Sequence, residues 1–324
     1  MRRFRLIPQI AIVAVVLGLV LSVLFRNLGQ VRAAVRDGEL SLRPGYLAAS
    51  YLCLAMQLVS SSLVWHYITI RLKAAISVRK AVVSWMLSLL GKNIPGRVFV
   101  LAGRVYMYAQ YGVNAGRVTL GFALELACSL AAAMLLVFTC LLLTASPAGA
   151  TVRRLQPLLA AGPVLILIAL HPRLLERLVN LGLRRLGRDP TKLSIRYRDI
   201  IAFVAASYVN WALLGTGFFL LTKAIVNVGW QHLPFIMGTF TFAMIAGFVA
   251  VFTPAGLGVR EGVVLAALQT AIPAGVAAAV ALAARVWATL GEAAAAGLVV
   301  LADHLLPSGP MTHYSREPGS KIGG

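Results

Sequence analysis

Six ionisable side chains stand inside apolar stretches of this 324-residue chain: Arg104, Glu125, Arg260, Glu261, Arg285 and Glu292. An unpaired charge at the centre of a bilayer costs roughly 2.5 to 3.5 kcal/mol or more, so each must face the interior and find a partner. Three guanidinium groups can contact an anionic headgroup, while three carboxylates orient them or carry a proton. The same residues also suit a purely structural role, as interior ion pairs that fix helix register. Arg285 and Glu292 are seven positions apart, on one helix face but about 10 Å distant, too far to pair directly. Pairing between segments, such as Glu125 with an arginine of the opposite half, is the expectation.

Two proline-glycine elements interrupt the apolar pattern near these charges: Lys92-Asn93-Ile94-Pro95-Gly96-Arg97, and Thr253-Pro254-Ala255-Gly256-Leu257-Gly258 running into Val259-Arg260-Glu261-Gly262. Non-helical backbone at membrane depth survives only where it lines a cavity or is packed in protein. After each break a new half-helix is predicted, near Arg97 and near Val259, with free N–H donors at the positive end of its dipole. Such ends bind phosphate and carboxylate, and Gly96, Gly256 and Gly258 let backbone approach a headgroup with no Cβ in the way. Pro95 and Pro254 set the breaks, and Arg97 adds a charge beside the first. The bland alternative, a hairpin turn and no more, is compatible with binding.

The elements that must position these groups follow from composition. With 60% hydrophobic and 12% charged residues and a mean hydropathy of +0.85, the chain reads as an all-α polytopic membrane protein, not a soluble one. Residues 1–306 form one membrane domain, and the Gly-, Pro- and Ser-rich stretch 307–324 is expected to be a disordered tail. Thirty Lys and Arg against ten Asp and Glu give a formal charge of +20. In this context the partner is the bilayer and its anionic lipids, with no nucleic acid. Cys53, Cys128 and Cys140 lie in apolar segments without metal-ligand spacing. There is no Walker A sequence, the glycines at 256, 258 and 262 lack the dinucleotide spacing, and no nucleophile, base and orienting group share a recognisable spacing. Neither an enzyme nor a cofactor or metal is expected. His66 and His171 read as interfacial residues, and Tyr106, Tyr108 and Tyr111 with Trp85 suit either a cavity wall or an aromatic belt.

Apolar runs at 6–25, 46–70, 118–144, 155–171, 200–225 and 275–303 predict about six spanning helices. The interrupted pairs predict two re-entrant helical hairpins, at 78–111 and 233–272. The first run reads as a retained signal anchor. Lys and Arg collect on the cytoplasmic side, and re-entrant hairpins keep four basic residues of 71–80 and eight of 173–198 inside. Both termini are then cytoplasmic. Three crossings per half, 6–144 and 155–303, invert the second half relative to the first, an arrangement in which substrate sites lie at the repeat interface. Residues 172–189 gather Arg173, Arg177, Arg184 and Arg188 within about 60° of a helical wheel, predicting an interfacial helix.

Gly91-Lys92-Asn93-Ile94-Pro95-Gly96-Arg97 with Gly103-Arg104, Glu125 in the next helix, Pro254-Ala255-Gly256-Leu257-Gly258-Val259-Arg260-Glu261-Gly262 and a late Arg285 together resemble the lysylphosphatidylglycerol synthase transmembrane, or flippase-like, family. The likeness covers residues 5–306. It implies lipid handling in a bacterial inner membrane, as in the membrane half of the multiple peptide resistance factor, without fixing the lipid. The 324 residues hold no aminoacyl-transfer domain after the membrane part, so a lysyltransferase label is not expected to carry over. The resulting expectation is a membrane protein that binds and translocates a lipid or lipid-linked anionic headgroup through Pro95, Gly96, Arg97, Arg104, Glu125, Pro254, Gly256, Gly258, Arg260, Glu261, Arg285 and Glu292. The alternatives are a non-transporting scaffold or partner of a lipid- or glycan-modifying enzyme, and a membrane subunit of aminoacyl-phosphatidylglycerol synthesis.

Overall fold

The computed structural model describes residues 42–93, 98–144, 195–249 and 258–305, together with Arg36, Leu165, Ile168, His171 and Arg177. The expected run 6–25, most of 155–171, all of the amphipathic stretch 172–189 except Arg177, and the tail lie outside these residues. So do Pro95, Gly96, Arg97, Pro254 and Gly256.

Among the described residues the regular structure is helical, with no strand. The first half supplies α1 (Pro44–Arg71), α2 (Val78–Leu89, continued by a 3-10 turn at Leu90–Asn93), α3 (Val98–Ala109) and α4 (Ala115–Leu143). The second supplies α5 (Tyr197–Ile225), α6 (Leu233–Val249, entered by a 3-10 turn at Trp230–His232), α7 (Val259–Leu268) and α8 (Ala274–Leu305). Each half is thus a long helix, two shorter ones and a long helix, the lengths being 28, 12, 12 and 29 residues and then 29, 17, 10 and 32. Among the described residues, five helices are long and apolar enough to cross a membrane. Four are expected spans, α1, α4, α5 and α8. The fifth, Trp230–Val249, is the first limb of the second interrupted pair, longer than a short hairpin arm needs to be.

Local sequence explains the helix ends. Pro44 opens α1, where a missing N–H costs nothing, and the Asn114 side chain caps α4 by accepting from the Gly116 N–H at 2.7 Å. At the first break the chain doubles back. A Cβ on Gly91 would lie 3.1 Å from the Phe99 backbone and one on Gly103 3.8 Å from the Ser88 Cβ, so α2 and α3 run antiparallel in close contact. Each arm is about 18 Å long, well short of a 30 Å hydrocarbon core.

The ends of the long helices gather in two groups. At the Arg71 end of α1, Arg71 pairs with Asp199 at 3.4 Å, and Arg117 donates to the Lys73 carbonyl at 2.8 Å. Arg79 and Lys80 meet Asp303 at 2.7 and 3.0 Å. These contacts join the C-terminal end of α1, the start of α2, the start of α4 just after α3, the start of α5 and the end of α8. At the other end of α1, Arg43 donates to Asn227 Oδ1 at 3.0 Å and its N–H to the Ala224 carbonyl at 2.9 Å. There Thr222, His232, Phe235 and Ile272 surround one small pocket, so α7 returns to the side from which α6 sets out.

Close packing relies on small residues, as helix association in lipid requires. Buried Ala277, Ala281, Ala284 and Ala288 give α8 a narrow face. Gly217 of α5 leaves only 3.1 Å between a would-be Cβ and the Trp287 ring, and 3.2 Å to the Ser50 carbonyl. Phe218 and Phe240 stack with ring centres 4.2 Å apart beside Trp287. These three rings belong to the second half; Trp287 reaches the first through Tyr51, with ring centres 6.4 Å apart, and Phe240 lies under Arg260.

Candidate functional site

Two ion pairs brace the interior, each within its own half and with the signs exchanged. In the first, Arg104 of α3 meets Glu125 of α4; in the second, Glu261 of α7 meets Arg285 of α8 at 2.6 Å. Glu125 therefore pairs with an arginine of its own half rather than the opposite one. The reason is local: the short second arm of each interrupted pair lies against the long helix that follows it, bringing positions 104 and 125, or 261 and 285, face to face.

Arg104 is 3% exposed and fully engaged. Its Nε donates to Ser88 Oγ at 3.0 Å, an Nη donates to Glu125, and its guanidinium lies 4.3 Å from the Trp65 ring centre and within 5.6 Å of those of Trp85 and Phe122. Glu125 also accepts from the Trp85 indole N–H at 2.7 Å. Glu261 serves two partners. One oxygen takes Arg285 and the other accepts the Gly258 N–H at 2.8 Å, which fills the first donor at the start of α7. Both pairs thus act mainly as braces.

Arg260 differs. It is half-buried, its guanidinium lies 4.8 Å from the Phe240 ring centre, and its Nη2 has no hydrogen-bond partner among the described residues. Arg285 Nε and Arg71 Nε share that condition, but of the three only Arg260 lines the cavity of about 240 Å³ between the halves. Arg104 and Glu125 reach the same cavity from the first half, and Glu292 reaches it from α8. Of the twelve expected site residues, the structure brings these four together. Gly258, Glu261 and Arg285 form a support beside them.

The cavity also has a neutral polar wall that the sequence reading passed over: Gln57 and Ser61 of α1, Ser129 of α4, and Ser207, Asn210 and Trp211 of α5. The signal was present as polar residues three or four apart within apolar spans, which puts them on one helix face. Gln57 and Asn210 fall near the middle of helices of 28 and 29 residues, at the depth where a polar group most needs a partner. Of the expected aromatic wall, Trp85 lines the cavity, Tyr108 is buried against the Trp65 N–H at 2.8 Å, and Tyr106 and Tyr111 are exposed.

Gly258 has a φ of +83°, a conformation that costs a side-chain-bearing residue roughly 1 to 2 kcal/mol, whereas Gly262 is helical with open space around its would-be Cβ. Gly258→Ala is therefore expected to lower the thermal midpoint in detergent, and Gly262→Ala to leave it unchanged or raise it. Equal midpoints for the two variants would remove this account of how α7 begins.

Apolar helices long enough to cross a bilayer, enclosing paired charges and a polar cavity, define a multi-pass membrane protein. The description "Lysylphosphatidylglycerol synthase TM region" matches residues 9–296, and the chain belongs to that family. A comparison with curated proteins finds no match.

Proposed function

We propose that the protein binds a lipid or lipid-linked anionic headgroup in the cavity between its halves and helps it move from one leaflet of the bacterial inner membrane to the other. One observation carries this reading: an arginine whose Nη2 has no hydrogen-bond partner among the described residues borders a cavity with a polar wall in a protein built of apolar helices. An anionic oxygen accepting from that nitrogen removes the burial penalty of an unsatisfied donor. The reading takes α2–α3 and α6–α7 as re-entrant hairpins entering from opposite faces. In support, the first opens at the Arg71 end of α1 and the second at the Arg43 end. The repeated succession of helix lengths fits an inverted repeat. The Arg71 end, which gathers Lys73, Arg79, Lys80 and Arg117, is taken as cytoplasmic.

Movement is downhill or ion-coupled, and the protein is not an enzyme in this reading. The test is transbilayer movement of fluorescent phospholipids in proteoliposomes. Faster movement than in protein-free vesicles, with a vesicle-impermeant quencher as readout, is the expected result. Equal rates across anionic phospholipids would defeat the proposal.

A further inference from the structure

The first turn of α2 carries two cations, Arg79 and Lys80, and no acid, although the positive end of a helix dipole disfavours cations there. The last turn of α8 carries the carboxylate of Asp303, at the end where a negative charge is disfavoured. Each charge is misplaced in its own helix and is satisfied by the other. Arg79 Nε donates to Asp303 Oδ1 at 2.7 Å, and its Nη2 donates to the Asp303 carbonyl and, at 3.4 Å, to that of Ala302. Lys80 Nζ donates to Asp303 Oδ2 and Oδ1 at 3.0 and 3.2 Å. A local conflict that only a tertiary contact resolves is expected at functional positions rather than in a passive scaffold.

The seam behind this contact leads to the cavity. On α8, Asp303, Val299, Ala296 and Glu292 are spaced four, three and four apart, one face about 16 Å long, and Glu292 lines the cavity at its far end. Trp85 and Leu89 of α2 line it too. The side chains of Arg79, Lys80 and Asp303 keep 30%, 34% and 20% of their surface exposed, so water screens the pairs and they part easily. The matching seam, where α6 packs on α4, cannot carry such a contact, because α6 contains no ionisable residue. There a would-be Cβ on Gly238 lies 2.7 Å from the Cys140 Cβ.

We propose that Arg79, Lys80 and Asp303 latch α2 to α8 and keep the cavity closed toward the Arg71 end, and that release of this contact opens it on that side. The latch is independent of what the cavity binds.

The test is the rate at which a charged, membrane-impermeant maleimide modifies Ser61→Cys, a cavity position, in sealed vesicles of the full-length protein with Cys53 and Cys140 replaced by alanine. Modification of Lys73→Cys, at an exposed position of the Arg71 end, identifies vesicles that present that end outward. Cys128, 0% exposed, is kept as a reporter of general loosening, and peptide mass spectrometry separates it from the cavity position. In vesicles presenting the Arg71 end, Asp303→Asn should speed modification of Ser61→Cys about fivefold, the factor that two solvent-screened ion pairs are worth together, with Cys128 unchanged. Asp303→Lys should speed it further, and adding Arg79→Glu and Lys80→Glu should return it toward the wild-type rate. Lys80→Gln, a milder change, should give a smaller rise if the Asp303 variants do not fold. An unchanged rate in Asp303→Asn and Lys80→Gln, an equal rise in vesicles of the opposite orientation, or a matching rise at Cys128 overturns the latch. No lipid ligand enters the measurement, so each outcome is read apart from the headgroup reading.

Discussion

Arg260→Met is expected to yield a folded protein that moves anionic phospholipid about ten to a hundred times more slowly than the wild type, as the loss of one charge-assisted hydrogen bond worth about 1.5 to 3 kcal/mol implies. Stability should not fall with activity. The Nη2 of Arg260 has no hydrogen-bond partner to lose among the described residues, its guanidinium lies 4.8 Å from the Phe240 ring centre, and methionine keeps an apolar stem against that ring. Transport is compared with the thermal midpoint in the same detergent preparation. A variant that melts early, or that transports normally, would show Arg260 to be another brace and would take the cavity's main donor out of the account.

Glu125→Gln should behave in the opposite way, costing about 3 kcal/mol of stability by leaving Arg104 as a buried charge without its counter-ion. Glutamine keeps an acceptor for the Trp85 N–H, so the loss isolates the charge. The three rings around Arg104 recover only part of it, since a cation above an aromatic face is worth about 0.5 to 2 kcal/mol. Adding Arg104→Met to Glu125→Gln should restore more than half of the loss, because the uncompensated charge is then gone. Chemical unfolding of the three variants in detergent reads this directly. If the double variant were as unstable as the sum of the singles, the pair would not be acting as a unit.

Much of this arrangement was legible in the residues because hydrophobic length and charge placement are local properties. The spans at 46–70, 118–144, 200–225 and 275–303 match α1, α4, α5 and α8 closely, and α3 and α7 begin at Val98 and Val259 where the breaks predict new half-helices. Family membership was legible in the Pro-Gly elements and is upheld over residues 9–296. Pairing was not. Whether Glu125 meets Arg104 or an arginine of the other half depends on which helix packs beside α4, a tertiary fact that one-dimensional spacing does not hold. The division of labour among the three arginines was hidden for the same reason, since Arg104, Arg260 and Arg285 look alike until the partners of each are known. The neutral wall was overlooked because attention to formal charge passes over Gln57, Ser61, Ser129 and Asn210, which carry none. At bilayer depth their hydrogen-bonding demands are nonetheless severe.

The claim on which the rest depends is that the cavity between the halves is a headgroup site with Arg260 as its anion contact. An experimental structure of the protein in nanodiscs containing phosphatidylglycerol tests it most directly. The account predicts phospholipid density in the cavity, with a phosphate oxygen within about 3 Å of Arg260 Nη2. A cavity closed by Leu58, Phe240 and Met244 side chains, with lipid confined to the outer surface of the helices, would contradict it.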